Sequence, residues 1–251
     1  MLISITEQCR MGCSHCMDNA TPEGNHMTMD TFKKAVDFFN KYGSLAFIIT
    51  GGEPTENPEW LDMVKYAMEH TATLFGSIVI LTTNGMNISG NPDIQEKLTR
   101  LLKMGSKLEI QVTSVEKYYP IKVDLSEKFF KQAGVSIARE IEDMYPLGRA
   151  RDNNYPWDSK CSKCFNIRSA TRVTKNLQQS TLLLGAKGKF CTPRINWNGD
   201  IKLGESRICP TVATIYDSNE VIINNICNFH CGICAEVNKQ LTKTQLAAIG
   251  E

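Results

Sequence analysis

The sequence predicts an α/β protein: a shortened, partial (β/α) barrel of parallel strands over residues 1–150, followed by a small cysteine-rich C-terminal domain over residues 151–251. Two observations predict it. Short apolar, strand-like runs alternate with amphipathic, helix-like segments through the first part, the pattern of successive βαβ units with right-handed crossovers. Cysteine is absent from 17 to 160 and abundant afterwards, with seven of the ten beyond residue 160.

The elements follow in order. Residues 2–7, LISITE, alternate as a strand and lead directly into the first cysteine group. A helix is predicted within HMTMDTFKKAVDFFNKYG, where Phe32, Ala35, Val36 and Phe39 keep helical spacing, Asp30 sits early and Gly43 ends the run. LAFIIT (45–50) suits a buried parallel strand and runs into GGEP. NPEWLDMVKYAMEH opens a second helix near a proline, SIVILTT is a third strand, and NPDIQEKLTRLLKMG is a third helix closed by glycine. KLEIQVTS, SEKFFKQAG and GVSIAREIE complete the series as a fourth strand, fourth helix and fifth strand. After about residue 148 the chain turns polar, and little of it suits a sixth strand, so the barrel is expected to be open. Too few apolar residues follow for a sizeable second core, and bound metal is expected to supply much of its stability. The loops at the C-terminal ends of the strands are where the chemistry is expected.

Net charge is +1, with 28 basic and 27 acidic residues, which excludes a global field directed at nucleic acid or anionic lipid. No apolar run is long enough to cross a membrane, and the start MLISITEQCR lacks the basic and apolar blocks of a signal peptide. A cytoplasmic enzyme is the expectation, with neither nucleic acid nor membrane as partner. In a reducing compartment, closely spaced cysteines point to metal ligation rather than to disulfides.

CRMGCSHC places Cys9, Cys13 and Cys16 within eight residues. Three thiolates hold three corners of a [4Fe-4S] cubane and leave one iron open, whereas a cluster used only for electron transfer takes four. Zinc would want a fourth Cys or His, and His15 sits between two of the cysteines, so these residues alone leave the metal open. GGEP at 51–54 follows the second strand and lies on the same rim. Its glycines allow close backbone approach to a ligand, and Glu53 offers a carboxylate to an ammonium group.

CRMGCSHC after the first strand, GGEP after the second and TTNG (82–85) after the third together resemble the radical S-adenosylmethionine (radical SAM) enzymes, over roughly the first 150 residues. The resemblance implies a [4Fe-4S] cluster on Cys9, Cys13 and Cys16 whose open iron is chelated by the amino and carboxylate groups of S-adenosylmethionine (SAM). It further implies that Gly51, Gly52 and Glu53 hold the methionine amino group, with Asn84 also at the cofactor. His15 stands where the family usually has an aromatic residue near the adenine. Ser114-Val115-Glu116-Lys117 replaces the family's Ser-aliphatic-Asp-Gly, which leaves Ser114 as a ribose contact. Arg139, on the predicted fifth strand, is a candidate for a carboxylate of the cofactor or of a peptide. His26, His70 and His230 read as surface or supporting residues, and Tyr118 and Tyr119 as packing at the rim.

INWNGDIKLGESRIC, after Cys191, resembles the Cys, glycine-turn, Cys hairpin that opens the SPASM and twitch auxiliary-cluster domains of radical enzymes, and PLGRA (146–150) resembles the barrel exit of that subgroup. The resemblance implies one or two auxiliary [4Fe-4S] clusters drawing on Cys161, Cys164, Cys191, Cys209, Cys227, Cys231 and Cys234. A zinc knot is the alternative for the same residues. The function so implied is radical modification of a ribosomally made peptide by crosslinking, epimerisation or oxidation. Radical oxidation or rearrangement of a small metabolite such as a sugar or aminoglycoside is the alternative, while a non-enzymatic iron-sulfur or zinc module would leave GGEP and TTNG without purpose. No leader-binding domain is expected before Leu2, so a peptide would need a separate recognition protein or would dock at the rim. An electron donor such as flavodoxin or ferredoxin is expected.

Overall fold

The apolar and amphipathic runs become strands and helices in the expected alternation. β1 (Leu2–Ser4) is followed by α1 (Met29–Tyr42), β2 (Ala46–Thr50), α2 (Trp60–His70), β3 (Ile78–Thr83), α3 (Pro92–Lys103), β4 (Leu108–Thr113) and β5 (Val135–Ala138). Then come a short α4 (Gly148–Asp152), β6 (Pro193–Ile195), β7 (Asp200–Leu203), β8 (Thr211–Thr214) and α5 (Asn219–Cys227). This computed structural model describes residues 1–42, 46–72, 78–105, 107–140, 147–155, 193–204 and 206–227.

Among the described residues, eight strands form one sheet in the order β5-β4-β3-β2-β1-β6-β7-β8. Pairing is parallel from β5 through to β6 and antiparallel in the two last pairs. β1 is thus an inner strand with a parallel neighbour on each edge, Ile3 lying opposite Ile49 of β2 and Ile195 of β6. Consecutive residues Ile3, Ser4, Ile5 and Thr6 are all buried, as a strand covered on both faces requires.

Helix burial follows the predicted apolar positions. Phe32, Ala35, Val36 and Phe39 of α1 are buried, and Phe32 and Phe39 both meet Phe47 of β2 edge to face, at centroid distances of 5.7 and 5.0 Å. Met63, Val64 and Ala67 of α2 and Leu98 of α3 join the same core. Asn91 caps α3 by accepting from the Ile94 N–H, with Pro92 in the first helical position.

Three expectations need correction. The predicted fourth helix is a single 3-10 turn, Lys128–Lys131, in which Phe129 and Phe130 are both buried and contact each other edge to face. Phe129 and Phe130 are adjacent yet both turn inward, which a one-faced amphipathic helix does not provide for, and Gly134, at φ +83°, ends the segment. The fifth strand stops at Ala138, so Arg139 is not on it. A sixth parallel strand does exist: β6 returns beside β1, and its three residues are too short to carry a periodicity. The sheet therefore continues past residue 150, and Ile195, Ile201, Leu203, Val212 and Ala213 share one core with α1 to α3. The hairpin predicted after Cys191 is present as β6 and β7, with Gly199 at φ +89° in its turn.

Candidate active site

The segment leaving β1 is held against the GGEP turn by its own backbone. Gly52 N–H donates to the Thr6 carbonyl and Glu53 N–H to the Gln8 carbonyl, each at 2.8 Å. A Cβ on Gly51 would lie 2.6 Å from the Thr6 oxygen and one on Gly52 2.3 Å from the Gln8 oxygen. The two glycines therefore make room first for the approach to the cysteine loop. Beyond Gln8 the loop is closed by Cys9 N–H donating to the Thr21 carbonyl at 2.7 Å.

Arg149, from the PLGRA segment, fastens the far side. Its backbone N–H donates to the Cys16 carbonyl, its Nε to the Cys13 carbonyl and its Nη1 to the Ala20 carbonyl, all at 2.8–2.9 Å. Gly148 precedes it at φ +54°, where a Cβ would fall within 2.9 Å of the Cys16 and Met17 carbonyl oxygens and of Asn19 Oδ1.

Glu53 joins the second and third strand ends. Its Oε1 accepts from Thr55 Oγ1 at 2.6 Å, Thr83 Oγ1 at 2.7 Å and Thr55 N–H at 3.2 Å, while Oε2 accepts from Asn84 N–H at 2.7 Å. The side chain is wholly buried, and burial holds its carboxyl above the usual carboxylate range in spite of these donors. Among the described residues it makes no salt bridge. Asn84 is buried too; its Oδ1 accepts from Met86 N–H at 2.9 Å and its Nδ2 faces the Cys9 sulfur at 3.8 Å.

These loops enclose a cavity of about 320 Å³, lined among others by Cys9, Cys13, Cys16, His15, Gly51, Gly52, Glu53 and Asn84. The three cysteines, the GGE turn and the asparagine, far apart in sequence, are thus brought to one place. Burial pushes the Cys9 thiol up to about 11 and the Cys13 thiol up to about 12. The protein alone keeps both protonated at neutral pH, and a metal must displace those protons to gain thiolate ligands. No group of three His, Cys, Asp or Glu side chains among the described residues converges on a single metal ion. A cubane does not ask for that, because each cysteine binds a different iron. The donor set fits a three-cysteine cluster, and a buried carboxyl without a salt-bridge partner among the described residues fits an ammonium group.

His15 lines the cavity, stacks on Tyr119 at 5.8 Å and tilts against Tyr118 at 4.8 Å. Burial, with Arg149 nearby, lowers its imidazole to about 4, and its Nδ1 is buried without a partner. Tyr119 lines the cavity and donates to Thr113 Oγ1 at 2.8 Å. Thr113 also lines it, whereas the neighbouring Ser114, though buried, is not among the lining residues. Arg139 is exposed and likewise absent from the lining. His26 pairs with Thr6 Oγ1 and His70 stacks on Tyr66, and neither is among the lining residues.

The sequence reading missed a polar network below the cysteine loop. Arg194 of β6 donates to both oxygens of Asp18, to Ser4 Oγ and to Asn196 Oδ1, at 2.7–3.2 Å. Asp18 also accepts from Arg207 N–H at 2.7 Å, and Arg207 donates to Glu7 and to the Asp18 and Asn19 carbonyls. Asp18 and Arg194 both line the cavity. The one available signal was the position of Asp18, two residues past Cys16.

Of the later cysteines, Cys209 is buried against Leu147 and Met17, and Cys227 ends α5. Cys161, Cys164, Cys191, Cys231 and Cys234, with His230, lie outside the described residues.

A family model described as the Radical SAM superfamily matches residues 3–133. An AdoMet-dependent heme synthase of Methanosarcina barkeri is 32% identical over 97 residues, 38% of this chain and 26% of that protein. A PqqA peptide cyclase of Bradyrhizobium diazoefficiens is 30% identical over 86 residues, 33% of this chain and 23% of that protein. The chain thus matches about a quarter of the length of these relatives. In fold it is similar to anSMEcpe, solved with bound AdoMet and a Kp18Cys peptide: TM-score 0.54, 13% identity, 89% of this chain and 79% of that one.

Proposed function

This chain belongs to the radical SAM superfamily of enzymes, and we propose that it cleaves SAM reductively and uses the resulting radical to take hydrogen from a ribosomally made peptide. The observation that carries the reading is the convergence of Cys9, Cys13 and Cys16 with the GGE turn and Asn84 on one cavity, where the buried Glu53 carboxyl makes no salt bridge among the described residues. A cluster and SAM held there would supply the one-electron chemistry that cleaves the sulfonium to a 5'-deoxyadenosyl radical.

The chain's own part is placement. Cys9, Cys13 and Cys16 would hold the cluster, and Arg149 fixes the backbone that carries the latter two. Gly51 and Gly52 would present backbone, and Glu53 its carboxylate, to the amino group of SAM. His15 and Tyr119 form an aromatic wall suited to the adenine. The seven later cysteines would bind one or two auxiliary clusters, and a small redox protein such as flavodoxin or ferredoxin would deliver the electron.

A peptide substrate is supported by the peptide bound to anSMEcpe and by the name of the PqqA peptide cyclase. The heme synthase match favours the second reading, a small-molecule substrate. Anaerobically reconstituted protein given dithionite and SAM is expected to release 5'-deoxyadenosine, and Cys13→Ala to abolish this. Cys231→Ala is expected to leave cleavage but no product. Mass spectrometry of co-expressed peptides then reads the substrate class. Fully loaded protein that makes no 5'-deoxyadenosine would reject the radical function, and cleavage with unmodified peptides would move the assignment to a small molecule.

A further inference from the structure

We propose that Asn84 sets the reduction potential of the cluster at Cys9 by donating its side-chain N–H to the Cys9 sulfur. The inference rests on the function proposed above and assigns Asn84 to the cluster's ligand rather than to SAM.

The amide orientation is decided by its partners. Oδ1 is occupied by the Met86 N–H at 2.9 Å, so the NH2 group must face the other way, where the Cys9 sulfur lies at 3.8 Å, within reach for a hydrogen bond to sulfur. The backbone is pinned as well, by Asn84 N–H donating to Glu53 Oε2 at 2.7 Å. Glu53 is in turn held by Thr55 and Thr83, so a buried chain runs from the GGE turn through Asn84 to the sulfur. Both ends are buried: Asn84 and Cys9 are each 7% exposed, whereas Cys13 and Cys16 are half-buried.

The sign follows from charge. Reducing the cluster by one electron adds negative charge to its thiolates, and a fixed N–H dipole in a low-dielectric site stabilises the more negative state more. The bond therefore raises the potential and makes the cluster easier to reduce. Hydrogen bonds to cluster sulfurs are among the levers that set such potentials. Glu53 acts here as a positioning residue, since it touches only the backbone of Asn84.

The test is an anaerobic redox titration followed by EPR, on the signal that changes when SAM is added. Asn84→Ser keeps an oxygen able to accept from the Met86 N–H two residues on but loses the amide donor. Asn84→Leu keeps the bulk and loses both. Each is expected to load as much iron as wild type and to be about three- to tenfold less reduced at a given applied potential, tenfold being about 59 mV for one electron. An unchanged or higher potential in a loaded variant would overturn the proposal. Failure of both variants to load would overturn it too, by making Asn84 a folding residue. If the SAM-sensitive signal survives Cys9→Ala, the cluster assignment itself fails, and this inference with it, whatever the Asn84 variants show.

Discussion

Replacing Arg194 by methionine tests whether the network under the cysteine loop holds that loop to the sheet. The side chains of Arg194 and Asp18 are only 3% and 11% exposed, and their closest approach is 2.7 Å. Methionine fills the space but leaves Asp18 with the Arg207 N–H among its named partners and strips a donor from Ser4 and Asn196. Stranding one member of a buried ion pair costs about 3–5 kcal/mol, and the surviving bond places the cost near about 3 kcal/mol. For a chain of this size that is a fall in Tm of about 6–12 °C. Urea unfolding of the reduced, metal-free protein measures it, and a cycle with Asp18→Asn separates the pair from its surroundings. The double variant should be less destabilised than the sum of the singles by at least about 1 kcal/mol. A single-variant loss below that figure, or singles that add, would refute the idea that the pair couples β6 to the cysteine loop.

Two further outcomes are expected. Gly52→Ala puts a methyl group 2.3 Å from the Gln8 carbonyl oxygen, backbone against backbone. It should cost about 2–3 kcal/mol and weaken SAM retention in equilibrium dialysis, and wild-type stability with wild-type retention would contradict the close approach. For His15 the sign is set by its lowered imidazole: the unfolded chain takes up a proton near its ordinary value while the folded chain resists until about 4. Stability of the metal-free protein should therefore fall as pH drops through that window, by about 1–2 kcal/mol after allowance for its partial exposure, and His15→Phe should flatten the dependence. Equal pH slopes in the two proteins would remove His15 as the cause.

The sequence was most legible where a local pattern decides burial. Phe32, Ala35, Val36 and Phe39 could be placed in the core from spacing alone, because one helix face meets one sheet face. The cysteine loop and the GGE turn were legible as short motifs at strand ends. What could not be read depends on distant pairing. β6 is three residues long, and its middle residue, Arg194, looks like a surface cation until Asp18 and Ser4 are seen opposite it. The close glycine contacts with Thr6 and Gln8 were hidden for the same reason, since no periodicity reveals which backbone passes within van der Waals distance. Arg139 was misplaced because the fifth strand ends one residue before it, at the boundary where pattern reading is weakest.

The position of β1 between β2 and β6 also orders the birth of this molecule. Ser4 and Arg194 are 190 residues apart, yet they bond across neighbouring strands. At about 5–20 residues per second, a ribosome needs on the order of 10–40 s to make the chain between them. During that interval β1 has an unpaired edge, and Asp18 lacks the cation it will share a site with. The bonds that tie Asp18 and Ser4 to Arg194 therefore form only after β6 has been made.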